Sequence, residues 1–287
     1  MKNSTTILKS TVSIGLDAPV RFLHLTDSHI CLDDEGMESG RQSWVHQHFE
    51  NCEIEYFLAL CEHAKQKGLP IVHTGDLYDF QSERAFAFTD EHFAPLDYFF
   101  AAGNHDFFHT WPPKGYSESG YKTRTLPLVA PHIGNDLIFA SRVMGGVNFV
   151  SLDNSFYKIT EKQLSKLRTE VEKGYPVVLC MHIPLFSEEH AERLYEEARQ
   201  YTVGQPSCFL LGIPEEHLRL YKEEHRREQT CDETTLRAIE YIKNEKRIKL
   251  IVAGHTHDNF EEVFPSGLVQ ITTHGTYYGF AREITLT

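Results

Sequence analysis

The chain has 287 residues, 28 Lys and Arg against 41 Asp and Glu, a formal charge of −13 and 17 histidines. That length suits one large domain or two small ones, and 41% hydrophobic with 24% charged residues reads as a globular chain with a buried core. The acidic balance excludes general nucleic-acid coating, because neutralising phosphates takes Lys and Arg, but it does not exclude a pocket whose positive charge comes from metal. Met1 to Pro19 lacks an apolar run of signal-peptide length, and the six cysteines form no C-x-x-C pair. Reduced thiols, a cytoplasmic location and no membrane association are therefore expected.

In chain order, a modest strand is expected over residues 12–16 and a clearer one over 20–26, ending at Asp27-Ser28-His29. After a polar loop, Ser43 opens a long amphipathic helix in which Val45, Phe49, Cys52, Tyr56 and Leu60 share a face, closed by Gly68-Leu69-Pro70. A short strand over 71–74 ends at Gly75-Asp76, a helix follows around 83–92, and a strand over 98–101 ends at Gly103-Asn104-His105-Asp106. Residues 115–134, rich in Gly, Pro, Ser and Thr, read as mainly loop. Gly145-Gly146 turns a hairpin between strands over 137–140 and 147–152, and Thr160 with Gln163 forms a capping box before Leu164, Leu167 and Val171. A strand over 176–181 ends at His182. Residues 187–230 are helical and charged, with ten Glu and six Lys or Arg, interrupted by the apolar piece 208–213. Asp232 caps a further helix carrying Leu236, Ile239 and Ile242, a strand over 249–253 ends at Gly254-His255-Thr256-His257, and strands and turns fill the rest.

Five polar clusters thus follow five apolar runs, at the strand ends where α/β sheets bind ligands. One strand-end Asp or His is usually a turn former; five in register are not explained as turns. Asp27, His29, Asp76, Asn104, His182, His255 and His257 are too many ligands for one ordinary metal and suit two that share a carboxylate. The mixed oxygen and nitrogen set suits divalent Mn, Fe or Zn. Of the other histidines, His24 and His73 precede motif blocks inside strands and are expected to be core residues, and His46, His48 and His63 to be solvated. His109 and His274 are weighed as pocket-lining residues.

The series D-x-H, G-D-x-x-D, G-N-H-D, H and G-H-x-H, complete and in order from Asp27 to His257, resembles that of the calcineurin-like metallophosphoesterases. The resemblance implies an α/β fold, a four-layer αββα sandwich of two mixed β-sheets. It implies a single domain over 1–287 that hydrolyses a small phosphomonoester or phosphodiester by in-line attack of a metal-bridging hydroxide. In that scheme Asp27, His29 and His257 hold one ion, Asn104, His182 and His255 hold the other, and Asp76 bridges them. His105 serves the leaving-group oxygen, with Asp79, and less directly Asp106, orienting its imidazole. Asn104, Arg41 and His109 are the candidate substrate contacts, Arg41 because a planar guanidinium matches a phosphate. Purple acid phosphatases place a tyrosine where this chain has Asp79, and the protein-serine/threonine phosphatases carry a Glu after G-N-H where this chain has Asp106; similarity is greater to small bacterial-type phosphoesterases. The charged insertion at about 187–245 has three readings: a plain outer layer, a cap on the site, or a surface for homo-oligomers. The alternative to an enzyme is a non-catalytic binding or scaffold protein on the same fold.

Overall fold

The computed structural model describes residues 4–37, 40–48, 53–110, 112–113, 120–199 and 207–287. The chain builds two sheets. The first has the order β1 (Thr6–Val12), β11 (Phe280–Leu286), β2 (Val20–Leu25), β3 (Ile71–His73), β4 (Tyr98–Phe100). The second has the order β5 (Phe139–Met144), β6 (Val147–Leu152), β7 (Val177–Cys180), β8 (Ile248–Ala253), β10 (Val269–Thr272), β9 (Phe260–Val263). Both are mixed: β2, β3 and β4 run parallel while β11 opposes β2, and β6, β7, β8 and β10 run parallel while β5 and β9 oppose their neighbours.

The two-residue period of each strand sorts its side chains between two layers. Phe22, Val72 and Phe99 face Phe149, Val178, Cys180, Leu250 and Val252 in a core between the sheets. Their neighbours Leu23, Leu25, Ile71 and Phe100 face outward, against Phe57, Leu60, Cys61 and Ala64 of α2 (Glu53–Lys67) and Phe86 of α3 (Glu83–His92). On the far side Val177, Leu179, Ile251 and Ala253 pack on Leu164, Leu167 and Val171 of α5 (Glu161–Glu172) and on Ala238, Ile239 and Ile242 of α9 (Glu233–Asn244). The layers are helix, sheet, sheet, helix, as the motif series implied. The capping box at Thr160 and the Asp232 cap are both formed.

Three local expectations are corrected. The first strand is β1, not residues 12–16, because pairing with β11 selects Thr6–Val12, and Gly15 beyond it takes φ +84°. The segment read as loop contains α4 (Tyr121–Val129), in which Tyr121, Thr125 and Val129 recur every fourth residue and are buried. That packing outweighs the helix-breaking composition and Pro127 within the helix. The long helix expected from Ser43 is described as α1 (Arg41–His48) and α2; Phe49 and Cys52 lie outside the described residues. Of the three apolar residues named in the last helix, Ile239 and Ile242 are buried and Leu236 is exposed.

The insertion carries α6 (Glu188–Arg199), α7 (Glu215–Leu218) and α8 (Glu223–Gln229). Phe186, Leu194, Cys208, Leu210, Leu218 and Tyr221 form a small core of their own, and Leu211 bridges to Leu185 just beyond β7. Among the described residues, no helix is long and apolar enough to cross a membrane.

Candidate metal centre

The loops after β2, β3, β4, β7 and β8 meet at one edge, where the parallel strands of both sheets end. Each loop turns sharply. Among the described residues, seven other than glycine have positive φ: Asp27, His29, Asp76, Tyr157, Phe209, His255 and His257. Such backbone costs about 1–2 kcal/mol per residue for an L-amino acid and gathers where a site over-determines it. Five of the seven are expected ligands; Tyr157 and Phe209 each face the ring of His255. Glycines let these loops touch. A Cβ at Gly103 would collide with the Asp76 carboxylate, and one at Gly254 with Thr26 and the Asp27 carboxylate.

The side chains gather in three overlapping groups: Asp27, His29 and His257; His29, Asp76 and His105; Asp76, His182 and His255. Within each group the ligand atoms lie within 4.8 Å of one another. Nε2 of His257 is 3.1 Å from Asp27 Oδ1 and 3.4 Å from Nε2 of His29. Nε2 of His182 is 3.2 Å from Asp76 Oδ2 and 3.1 Å from Nδ1 of His255.

The outer nitrogens are all engaged. His29 Nδ1 donates to Asp79 Oδ1 at 3.1 Å and His182 Nδ1 to the Thr74 carbonyl at 2.7 Å. Both partners only accept, so each ring keeps an Nε2 lone pair for the centre. His257 Nδ1 meets the Tyr277 hydroxyl at 2.6 Å, and His255 Nε2 meets the Tyr157 hydroxyl at 2.8 Å. Both tyrosines escaped the sequence reading. They belong to no motif block, and nothing local to them in the sequence marks them.

Asn104 supplies a direct test of fit. Its Oδ1 is buried and finds no hydrogen-bond partner, although a buried amide oxygen ordinarily has one. The loop that carries it touches Asp76 through the His105 amide, and amide oxygen, carboxylate and imidazole together form a mixed donor set that divalent transition metals accept. The donors present therefore fit divalent cations.

Charge within the cluster is already divided. Burial alone would raise the Asp27 carboxyl, but facing His257 holds it below the usual carboxylate range. Burial opposes and Asp76 favours the proton on His182, whose pKa is pushed up to about 9. Burial, and then the positive His182, press its neighbour His255 down to about 3. A cation bound at these nitrogens would displace the proton that Asp76 favours on His182.

The remaining candidates fall in different places. Arg41 grips Asp79 with two bonds, Nε to Oδ2 at 2.5 Å and Nη2 to Oδ1 at 2.8 Å, and its guanidinium lies 4.3 Å from the centroid of the Trp44 ring. Asp79 is fully buried between Arg41 and His29, and these partners keep its carboxyl ionised against the cost of burial. His105 lies edge-on to His29, ring centroids 4.7 Å apart, and its Nδ1 donates to the Asp79 carbonyl at 2.9 Å. The nearest Asp79 carboxylate oxygen is 3.6 Å from that nitrogen. Asp106 turns away from the ring. It accepts from the amides of Asp76, Leu77, Tyr78 and Gly103 and so ties the two central loops together. His109 is exposed. His274 stacks on Phe280, its amide donating to Asn259. His24 and His73 are buried core residues, as expected.

A family model for calcineurin-like phosphoesterases matches residues 20–259. No curated protein matches. Among solved structures, a dimetal phosphatase from Danio rerio aligns over 90% of this chain and 88% of its own, at 15% identity and a TM-score of 0.53. A putative 5'-nucleotidase from Staphylococcus aureus aligns over 90% of this chain and 49% of its own, at 15% identity and a TM-score of 0.45. A phosphopantetheinyl hydrolase from Mycobacterium tuberculosis aligns over 93% and 91%, at 9% identity and a TM-score of 0.43.

Proposed function

The chain belongs to the calcineurin-like phosphoesterase family, and from that premise we propose that it hydrolyses a small phosphate ester, mono- or diester, at a two-cation centre. Asp27, His29 and His257 would hold one ion, Asn104, His182 and His255 the other, with Asp76 between them. The observation that carries this reading is the convergence of the ring nitrogens and carboxylates of Asp27, His29, Asp76, His182, His255 and His257, supported by the buried, unpartnered Asn104 oxygen. Bound divalent cations supply Lewis-acid charge to phosphoryl oxygens and lower the pKa of water.

The protein's own groups do the rest. Asp76 holds both sides of the centre together, its Oδ1 accepting from the His105 amide at 2.8 Å while Oδ2 faces His182. Asp79, clamped by Arg41, fixes the rotation of His29. The Asp79 carbonyl holds Nδ1–H of His105, so its other nitrogen faces the cluster. To give a proton to a leaving oxygen from Nε2, the ring must be imidazolium, because Nδ1–H is already committed. Burial disfavours that form and the Asp76 charge favours it. We assign Arg41 to holding Asp79 rather than to the substrate.

The test is to strip the protein of metal, reload it with Mn, Fe or Zn, and assay 4-nitrophenyl phosphate and bis(4-nitrophenyl) phosphate. Metal-restored hydrolysis of at least one is expected; hydrolysis of neither under any metal overturns the reading in favour of a binding or scaffold role. His105→Ala should keep the metals and lose turnover by about 10²–10⁴, more for poor leaving groups than for nitrophenol. Equal loss on both removes His105 as proton donor.

A further inference from the structure

Among the described residues of the insertion, Phe209 is the one aromatic with left-handed backbone, at φ +52°. Its neighbours Cys208, Leu210 and Leu211 are buried, whereas its own ring is only half-buried. A bulky residue in this conformation is a genuine outlier. If the turn alone were needed, glycine would serve at lower cost, as Gly212 does three residues on with φ +87°. The segment is pinned on both sides. Leu211 exchanges backbone bonds with Pro184 and Phe186 at 2.8 Å each, and the Cys208 amide donates to the Tyr221 hydroxyl at 3.3 Å.

The pinned turn sets the Phe209 ring edge-on to the ring of His255, centroids 6.2 Å apart. His225 of α8 lies beside it at 5.2 Å. On the other side of His255 stands the Tyr157 ring at 5.8 Å, also on left-handed backbone. One part of the Phe209 ring packs on the core under the second sheet, and the strained turn leaves the rest beside His255 without fully burying it.

We propose that Phe209 is a specificity-determining wall of the site, receiving an aromatic group carried on the phosphate, so that the substrates are phosphate esters bearing a ring. The proposal rests on the phosphoesterase reading. A ring stacked or edged on Phe209 gains packing that an alkyl chain of the same length does not, a difference of roughly tenfold in binding.

The experiment compares 2-phenylethyl phosphate with n-hexyl phosphate, an alkyl ester of the same length; both leaving groups are primary alkoxides. In the metal-loaded wild type, kcat/KM should favour the phenyl ester by about tenfold, with the difference in KM. Phe209→Ala should bring the ratio close to one and Phe209→Trp should keep it; metal content reports whether each variant is assembled. If the alanine variant does not fold, Phe209→Leu, which keeps apolar volume, should still lower the ratio. A wild-type ratio near one with both esters hydrolysed, or a ratio unchanged in Phe209→Ala, overturns the assignment and leaves the phosphoesterase reading standing. Hydrolysis of neither alkyl ester and of neither nitrophenyl substrate overturns both.

Discussion

The two halves of the centre are built from similar ligands but supported differently. In the half formed by Asp27, His29 and His257, a candidate ligand is a carboxylate and His29 is backed by an ionised Asp79, itself paired with Arg41. In the half formed by Asn104, His182 and His255, the unshared oxygen donor is a neutral amide, and the rings lean on the Thr74 carbonyl and the Tyr157 hydroxyl. The first half thus offers a cation one more negative ligand, and its backing carboxylate makes His29 more basic. The second half has the insertion beside it, through Phe209. On the proposed two-cation reading, the difference teaches that the first half would hold its ion more firmly than the second, which lies beside Phe209.

The largest effect should come from removing what the halves share. Asp76→Asn is expected to lower metal content at both positions and hydrolysis by at least about 10³-fold, measured by elemental analysis and the nitrophenyl assays. Loss of one ion alone would show that Asp76 serves a single half. Next comes the backing of the first half. Arg41→Ala frees Asp79 to turn from His29, so affinity for the tighter ion should fall about 10–100-fold, with the weaker ion little changed. A substrate-contact role for Arg41 would instead raise KM and leave metal affinity alone. Titration with a chelator should then remove the two ions in separate steps; simultaneous release would erase the distinction between the halves.

The smallest effect concerns the core common to both. His24 and His73 are held near a pKa of about 3, chiefly by burial. Folded, they stay neutral below pH 6.5, where the unfolded chain takes up protons, so stability falls as pH falls from 6.5 toward 3. Between pH 6.5 and 5.5 the loss should be about 1 kcal/mol per histidine, read from urea unfolding of the wild type against His24→Gln, in which the slope should lessen. An unchanged slope would mean that His24 takes up a proton in the folded protein.

Much of the centre was legible along the chain because ligands at strand ends are local features. An apolar run ending in Asp27-x-His29 or His255-x-His257 needs no knowledge of its neighbours, and the strand period alone divides Phe22 from Leu23 between two cores. What chain order could not reveal were pairings across long separations. Tyr157 lies 98 residues before the His255 it contacts, and Arg41 lies 38 before Asp79. Nothing in the sequence around Arg41 distinguishes a guanidinium that meets phosphate from one that grips a buried carboxylate. The same limit hid α4, whose helix depends on burying Tyr121, Thr125 and Val129 rather than on its own composition.

By itself, then, the sequence determined the residue types of the candidate donors and their order after successive strands, because these are short-range properties, while the four-layer sandwich followed from the family resemblance that the motif series carries. Only the tertiary structure decided which nitrogen of each imidazole faces inward, what holds it there, and that the insertion sets Phe209 beside His255. Those outcomes depend on hydrogen bonds and ring contacts between loops from both sheets, which come within reach of each other only when the sheets pack.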